Sequence, residues 1–176
     1  MTRVVLSIGS NLGDRLARLQ AVVDALGDAV IGVSAVYETA AWGGVEQGAF
    51  LNAVVIADDP ALDARGWLRR AQAIEADNER VRTRKWGPRT LDVDLVCCHD
   101  NAGEVFSYDS ELTLPHPLAH QRAFVLAPWL DLDPAAQLSV GGLPRPVAGI
   151  LGELDAAERD GVVRTGMEIV VTEGER

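Results

Sequence analysis

Cysteine is scarce in this 176-residue chain, which has two, and lysine is scarcer, with one. Cys97 and Cys98 are adjacent in a strand-like run, where neighbouring side chains point to opposite faces, so neither a disulfide nor a shared metal suits them. They fit a reducing compartment. The same divergence removes His99 as a third member of a metal cluster. Aromatic residues make up 5% of the chain, too few for the aromatic-studded sheet of an RNA-recognition module. No apolar run approaches the length of a membrane span, and Met1-Thr2-Arg3 leads into a strand-like segment with no leader-type hydrophobic region, so the cytoplasm is the expected location. Positive charge is also short: 16 basic residues stand against 26 acidic ones, net −10. That balance disfavours a duplex or an anionic membrane as partner.

What remains is 48% apolar and 24% charged, the composition of one folded domain, expected over residues 1–176. Val4-Val5-Leu6-Ser7-Ile8 reads as a strand ending in the turn-forming Gly9-Ser10-Asn11-Leu12-Gly13-Asp14. Leu16, Leu19, Val22, Val23 and Leu26 follow at helical spacing, and Gly27 supplies a stop, giving a helix over about 14–27. Strands are expected over 30–39 and 50–57, an amphipathic helix over 61–78, and a fourth strand over 90–98. The order βαββαβ is that of a ferredoxin-like α+β fold, an antiparallel sheet with both helices on one face and the other face left as a binding floor. An extended piece over 107–117, a short helix over 119–130 and smaller elements from 138 onward form a C-terminal extension.

Chemistry concentrates between residues 80 and 94. Arg80, Arg82, Arg84, Lys85 and Arg89 put +5 into ten residues of a chain whose remainder carries −15. Guanidinium forks pair bidentately with phosphate oxygens, which suits a nucleoside triphosphate, while a solvated helix end explains the same cluster equally well. Asp92 and Asp94 lie two apart on the fourth strand, so both carboxylates project from one face. An isolated D-x-D is more often the solvent side of an alternating strand. Beside a phosphate-binding cluster, two hard oxygen ligands favour Mg²⁺, which takes its remaining ligands from water and phosphate. Asn52, within Leu51, Ala53 and Val54, is unusual for a core strand because a buried amide needs partners.

The stretch from Arg84 to Leu95, with its Trp86-Gly87-Pro88-Arg89-Thr90-Leu91-Asp92-Val93-Asp94 centre, closely resembles the signature of the 6-hydroxymethyl-7,8-dihydropterin pyrophosphokinases. Gly9 to Asp14, Tyr37-Glu38-Thr39, Gln47 with Phe50-Leu51-Asn52-Ala53, Gln72 with Ile74-Glu75, Leu112-Thr113-Leu114-Pro115-His116-Pro117, and Arg122 with Phe124 resemble that family's motifs in its order, from about Val4 to Pro134. The resemblance implies pyrophosphate transfer from Mg-ATP to a pterin hydroxymethyl group in folate biosynthesis, with AMP as the other product. It implies two Mg²⁺ ions on Asp92 and Asp94, and catalytic roles for Arg82, Arg89, Asp92 and Asp94. The ATP side takes Gln72, Glu75, Arg82, Lys85, Arg89, Thr113, His116 and Arg122. The pterin side takes Thr39, Ala40, Trp42, Phe50, Asn52, Trp86, Asp92 and Phe124, the two phenylalanines as aromatic plates and Asn52 as the amide that reads the heterocycle's edge.

The chain departs from the pattern at Ala40-Ala41-Trp42, where proline is common, at Phe50, where tyrosine is common, and at Glu111, where some members carry arginine. The expected partners are the two small substrates, with no nucleic acid or membrane, on a chain taken as monomeric. The rival of another class, a nucleotide-sensing ferredoxin-like domain without catalysis, shares the motifs and differs only in turnover.

Overall fold

The computed structural model describes residues 2–40, 48–79 and 91–172. Gln47, Trp42, Arg80, Arg82, Arg84, Lys85, Trp86 and Arg89 lie outside the described residues. Strand β1 (Thr2–Ser10) forms the middle of an antiparallel sheet, paired on one side with β4 (Phe50–Asp59) and on the other with β5 (Asp92–Asp100). Between β1 and β4 come helix α1 (Arg15–Leu26) and the short strands β2 (Val30–Val33) and β3 (Tyr37–Thr39), both of which pair with β4. Helix α2 (Ala64–Glu79) links β4 to the segment before β5. Asp14 caps α1 by accepting the Ala17 N–H at 3.1 Å, and Gly27 closes it at φ 55°, a conformation that disfavours a side chain.

The expected single strand over 30–39 is instead two strands. The Ser34 side chain explains the break: its Oγ accepts the Val54 N–H at 2.9 Å and donates to the Ala35 carbonyl at 2.8 Å, taking the place of a ladder bond. The expected helix over 119–130 is a 3₁₀ turn, Ala119–Gln121, followed by α3 (Ala123–Leu132). Beyond β5 come β6 (Gly103–Glu104), which extends the sheet, and the hairpin β7 (Ser107–Tyr108) with β8 (Thr113–Leu114). The C-terminal extension comprises the β9 (Gln137–Val140) and β10 (Leu143–Pro146) hairpin, α4 (Val147–Glu153), α5 (Ala156–Asp160) and β11 (Val162–Arg164). Strand β11 pairs with β3, so the sheet order is β11-β3-β4-β1-β5-β6, longer than the four strands expected.

Alternation along the central strands creates two cores. Val4, Leu6 and Ile8 of β1, Leu51, Ala53 and Val55 of β4, and Val93 and Leu95 of β5 face α1 and α2. Val5, Val54, Val96 and Cys97 face the other way, where Val125, Leu126 and Trp129 of α3 and Val147 and Ile150 of α4 cover them. The expectation of a wholly open second face is therefore corrected. Helices occupy both sides, because α3 is apolar around most of its circumference and needs a surface to bury. Cys97 and Cys98 fall into opposite cores and are both free thiols. Burial pushes Cys98 up to about 12 and Cys97 well above the usual thiol range. Among the described residues no helix is long and apolar enough to cross a membrane.

Trp67 anchors α2 to the sheet. It is 1% exposed, donates its indole N–H to the Thr2 carbonyl at 3.1 Å, and lies under the Arg70 guanidinium at 5.5 Å. Arg70 then reaches Asp59 at 3.1 Å and the Leu26 carbonyl at 2.9 Å, tying α2 to β4 and to the end of α1. Trp67→Ala is expected to cost about 3–5 kcal/mol of stability, read from urea unfolding monitored by far-ultraviolet circular dichroism.

Candidate functional site

The second sheet face changes character along the strands. One half is apolar and covered by α3 and α4; the other carries Ser7, Gly9, Asn52, Asp92 and Asp94 and remains open. Register sets these residues in rows. Asn52 of β4 stands opposite Gly9, which stands opposite Asp92 of β5; one row further on, Ser7 stands opposite Asp94. The D-x-D spacing thus places both carboxylates on the same face, as the alternation requires. Together with Thr39, Ala40, Phe50, Arg122 and Phe124 they line a cavity of about 740 Å³. Eight residues proposed from the sequence therefore meet in one place.

Gly9 is the flat point of this floor. A Cβ there would sit 2.9 Å from Asn52 Oδ1, so the amide lies across the glycine. Asn52 is buried, and its Nδ2 donates to Thr39 Oγ1 at 2.8 Å. Strand β3 thereby holds the amide in place, which answers how a buried amide is satisfied between Leu51 and Ala53. On the far wall, the Arg122 guanidinium stacks over the Phe124 ring at 5.5 Å, leaving arginine and aromatic at one end of α3.

Gln72, Glu75, Thr113 and His116 do not line the cavity. Gln72 and Glu75 are on α2, whose Trp67, Ala71 and Ile74 pack into the opposite core. His116 docks beside β5, donating its backbone N–H to the Val96 carbonyl at 2.8 Å, and its Nδ1 accepts the Leu118 N–H at 3.1 Å, which leaves the ring proton on Nε2. Burial lowers the His116 pKa below the ordinary imidazole value; nearby Asp94 opposes this and Arg122 reinforces it.

The structure adds Ser7, Gly9, Leu118, Gln121, Leu154, Asp155 and Glu158 to the lining. Ser7 and Gly9 were within reach of the alternation rule, since they follow Val5 on the same face of β1. Leu154, Asp155 and Glu158 carry no pattern that marks them. Among the described residues no three of His, Cys, Asp and Glu form a metal cage. A divalent cation on Asp92 and Asp94 must complete its shell with water and ligand oxygens, the habit of Mg²⁺, and the donor set fits that ion.

The sequence profile of the family described as 7,8-dihydro-6-hydroxymethylpterin-pyrophosphokinase (HPPK) matches residues 5–134. The chain belongs to the HPPK family. A Mycobacterium tuberculosis relative named 2-amino-4-hydroxy-6-hydroxymethyldihydropteridine pyrophosphokinase is 61% identical over 167 residues, 92% of this chain and 89% of that one. A Mycobacterium leprae protein of the same name is 57% identical over 175 residues, 96% of this chain and 92% of that one. Among solved structures, Plasmodium falciparum HPPK-DHPS with pterin and p-hydroxybenzoate matches with a TM-score of 0.63 at 13% identity, over 86% of this chain. The chain spans 43% of that longer protein, and the likeness shows that the HPPK arrangement of helices and antiparallel sheet is shared.

Because Asn52 is pinned between Thr39 and Gly9, Gly9→Ala is expected to drive the amide off its hydroxyl partner. The expected loss is about 1–3 kcal/mol, measured as a lowered urea midpoint at unchanged m-value.

Proposed function

We propose that the chain catalyses the reaction for which its family is named: the hydroxymethyl oxygen of 6-hydroxymethyl-7,8-dihydropterin attacks the β-phosphorus of ATP. The bond from that phosphorus to the α–β bridging oxygen breaks, AMP leaves, the hydroxyl proton is released, and the pterin diphosphate forms as a step of folate biosynthesis. The observation that carries this reading is the convergence of Asp92, Asp94, Asn52, Phe50, Phe124 and Arg122 on one cavity, in a chain 61% identical to a protein named as that pyrophosphokinase.

In this reading Asp92 and Asp94 hold two Mg²⁺ ions, which when bound supply charge neutralisation to the phosphate oxygens. Asn52 and the Thr39–Ala40 edge read the hydrogen-bonding rim of the pterin, while Phe50 and Phe124 hold its faces. A ring without matching donors and acceptors would fail to use the hydrogen-bonding capacity that Asn52 keeps beyond its bond to Thr39, and this is the source of discrimination. Arg122 faces the triphosphate, joined by Arg82, Lys85 and Arg89, whose guanidinium and ammonium groups match phosphate charge. The family resemblance also assigns Gln72, Glu75, Thr113 and His116, which lie outside the cavity lining, to the ATP side, and Trp42 and Trp86 to the pterin side. The chemistry asks the protein for position and charge complementarity and needs no covalent nucleophile. The core strands β2/β3, β4, β1 and β5 with α1 and α2 carry the ferredoxin-like pattern, to which β6, β11 and the second layer of helices are additions. The enzyme acts in the cytoplasm as a single chain.

Incubating the protein with ATP, Mg²⁺ and the hydroxymethyl-dihydropterin should yield AMP and the pterin diphosphate in equal amounts. ATP bound without pterin-dependent AMP would instead favour a nucleotide sensor. Asp92→Ala and Asp94→Ala are each expected to lower kcat by about a hundredfold or more while the pterin still binds. Wild-type turnover by either variant at limiting Mg²⁺ would remove the metal assignment.

A further inference from the structure

The wall of the cavity opposite the sheet is built in part from beyond residue 134, where the family's sequence match ends. Helix α3 opens at Ala123, and its N-cap residue, Arg122, makes no side-chain capping bond. The first N–H of the helix belongs to Ala123, which is fully buried. Such a donor needs a partner, since the first turn of a helix offers it none. The partner is Glu158, 35 positions away on α5, whose Oε1 accepts the Ala123 N–H at 3.2 Å. Ala123 lies between Arg122 and Phe124, the stacked pair that faces the cavity. Glu158 thus adds a tie to the backbone from which both side chains project, beside the bonds that Arg122 makes to Ala119, Val125 and Leu126.

The segment carrying Glu158 is itself anchored to the other wall. Directly after α5, β11 pairs with β3, with Val162 opposite Thr39 and Arg164 opposite Tyr37. Thr165 donates its backbone N–H to the Val36 carbonyl at 2.9 Å. Tyr37 reaches Asp131 of α3 through its hydroxyl at 2.9 Å, and Arg164 approaches the same carboxylate at 3.9 Å. One stretch of about ten residues thus links the start of α3 to strand β3, which holds Asn52 through Thr39.

We propose that Glu158 is a positioning residue for the substrate site, acting through the Ala123 N–H to set Arg122 and Phe124 against the floor formed by Asn52, Gly9 and Asp92. This rests on the pyrophosphokinase reading of the cavity. Glu158 also borders the cavity, but the role assigned to it runs through the Ala123 N–H, on how well the wall is formed before the substrates arrive.

The test compares E158A, which removes the acceptor, with E158Q, which keeps an acceptor oxygen and loses the charge. Dissociation constants for the pterin and for an ATP analogue are measured by calorimetry, kcat and KM from AMP release, and exchange of the Ala123 amide by NMR. E158A is expected to weaken pterin binding and raise its KM about tenfold, with faster exchange at Ala123. E158Q should retain both within about threefold. A purely structural role would lower the melting temperature and the active fraction but leave KM and the dissociation constants of the surviving molecules unchanged, and that result overturns the proposal. Equal damage in E158Q and E158A also overturns it, since charge rather than the hydrogen bond would then matter. Wild-type protein that bound neither substrate would refute the pyrophosphokinase reading and this proposal with it, whereas wild-type turnover with an indifferent E158A would refute this proposal alone.

Discussion

The period-two alternation of side chains along β1, β4 and β5, and the point at which one of the two faces stops being apolar, govern the rest of this structure. On the α1/α2 side the inward residues stay hydrophobic through the middle of the strands, from Val4 to Ile8 in β1, Leu51 to Ala57 in β4 and Val93 to Leu95 in β5. On the other side Val5, Val54, Val96 and Cys97 give way to Ser7, Gly9, Asn52, Asp92 and Asp94. Helix α3 covers the apolar half because that half rewards burial. It stops where the polar half begins because carboxylates and an amide are costly to cover without partners. The cavity is what remains of the face once the apolar part has been used.

That arrangement places the demanding polar groups on the central, hydrogen-bonded strands of the sheet. Asn52, Gly9 and Asp92 stand in one cross-strand row, so their spacing is set by backbone pairing. The walls are supplied by less regular pieces, the start of α3 and the short strand β3, and these are tied together by α5 and β11. A floor of strands with walls braced from a distant segment divides the work between fixed chemistry and adjustable fit.

Much of this was legible in the residues. The pairing of Asp92 with Asp94 on one face, the oddity of Asn52 in an apolar run, and the stop at Gly27 all follow from local rules that the structure obeys. Phe50 and Phe124 were ordinary core aromatics by composition and gained a role only from the family resemblance; both line the cavity. Where local rules failed, the cause was a tertiary partner. The strand expected over 30–39 breaks because the Ser34 hydroxyl takes the Val54 N–H. The second face is half covered because the apolar surface of α3 found it, and periodicity cannot say which surface a helix will choose. Glu158 had no signal, since a hydrogen bond spanning 35 residues leaves no mark in local pattern.

In the proposed reaction the polar half of the second sheet face is the floor on which both substrates and their metals lie. A crystal structure with a non-hydrolysable ATP analogue, the hydroxymethyl-dihydropterin and Mn²⁺ in place of Mg²⁺ tests it most directly, because anomalous scattering locates the metal without ambiguity. The account predicts metal peaks against the carboxylates of Asp92 and Asp94, with the pterin ring over Gly9 and its edge on Asn52. Metal bound away from both aspartates, or a pterin seated off this floor, would contradict it.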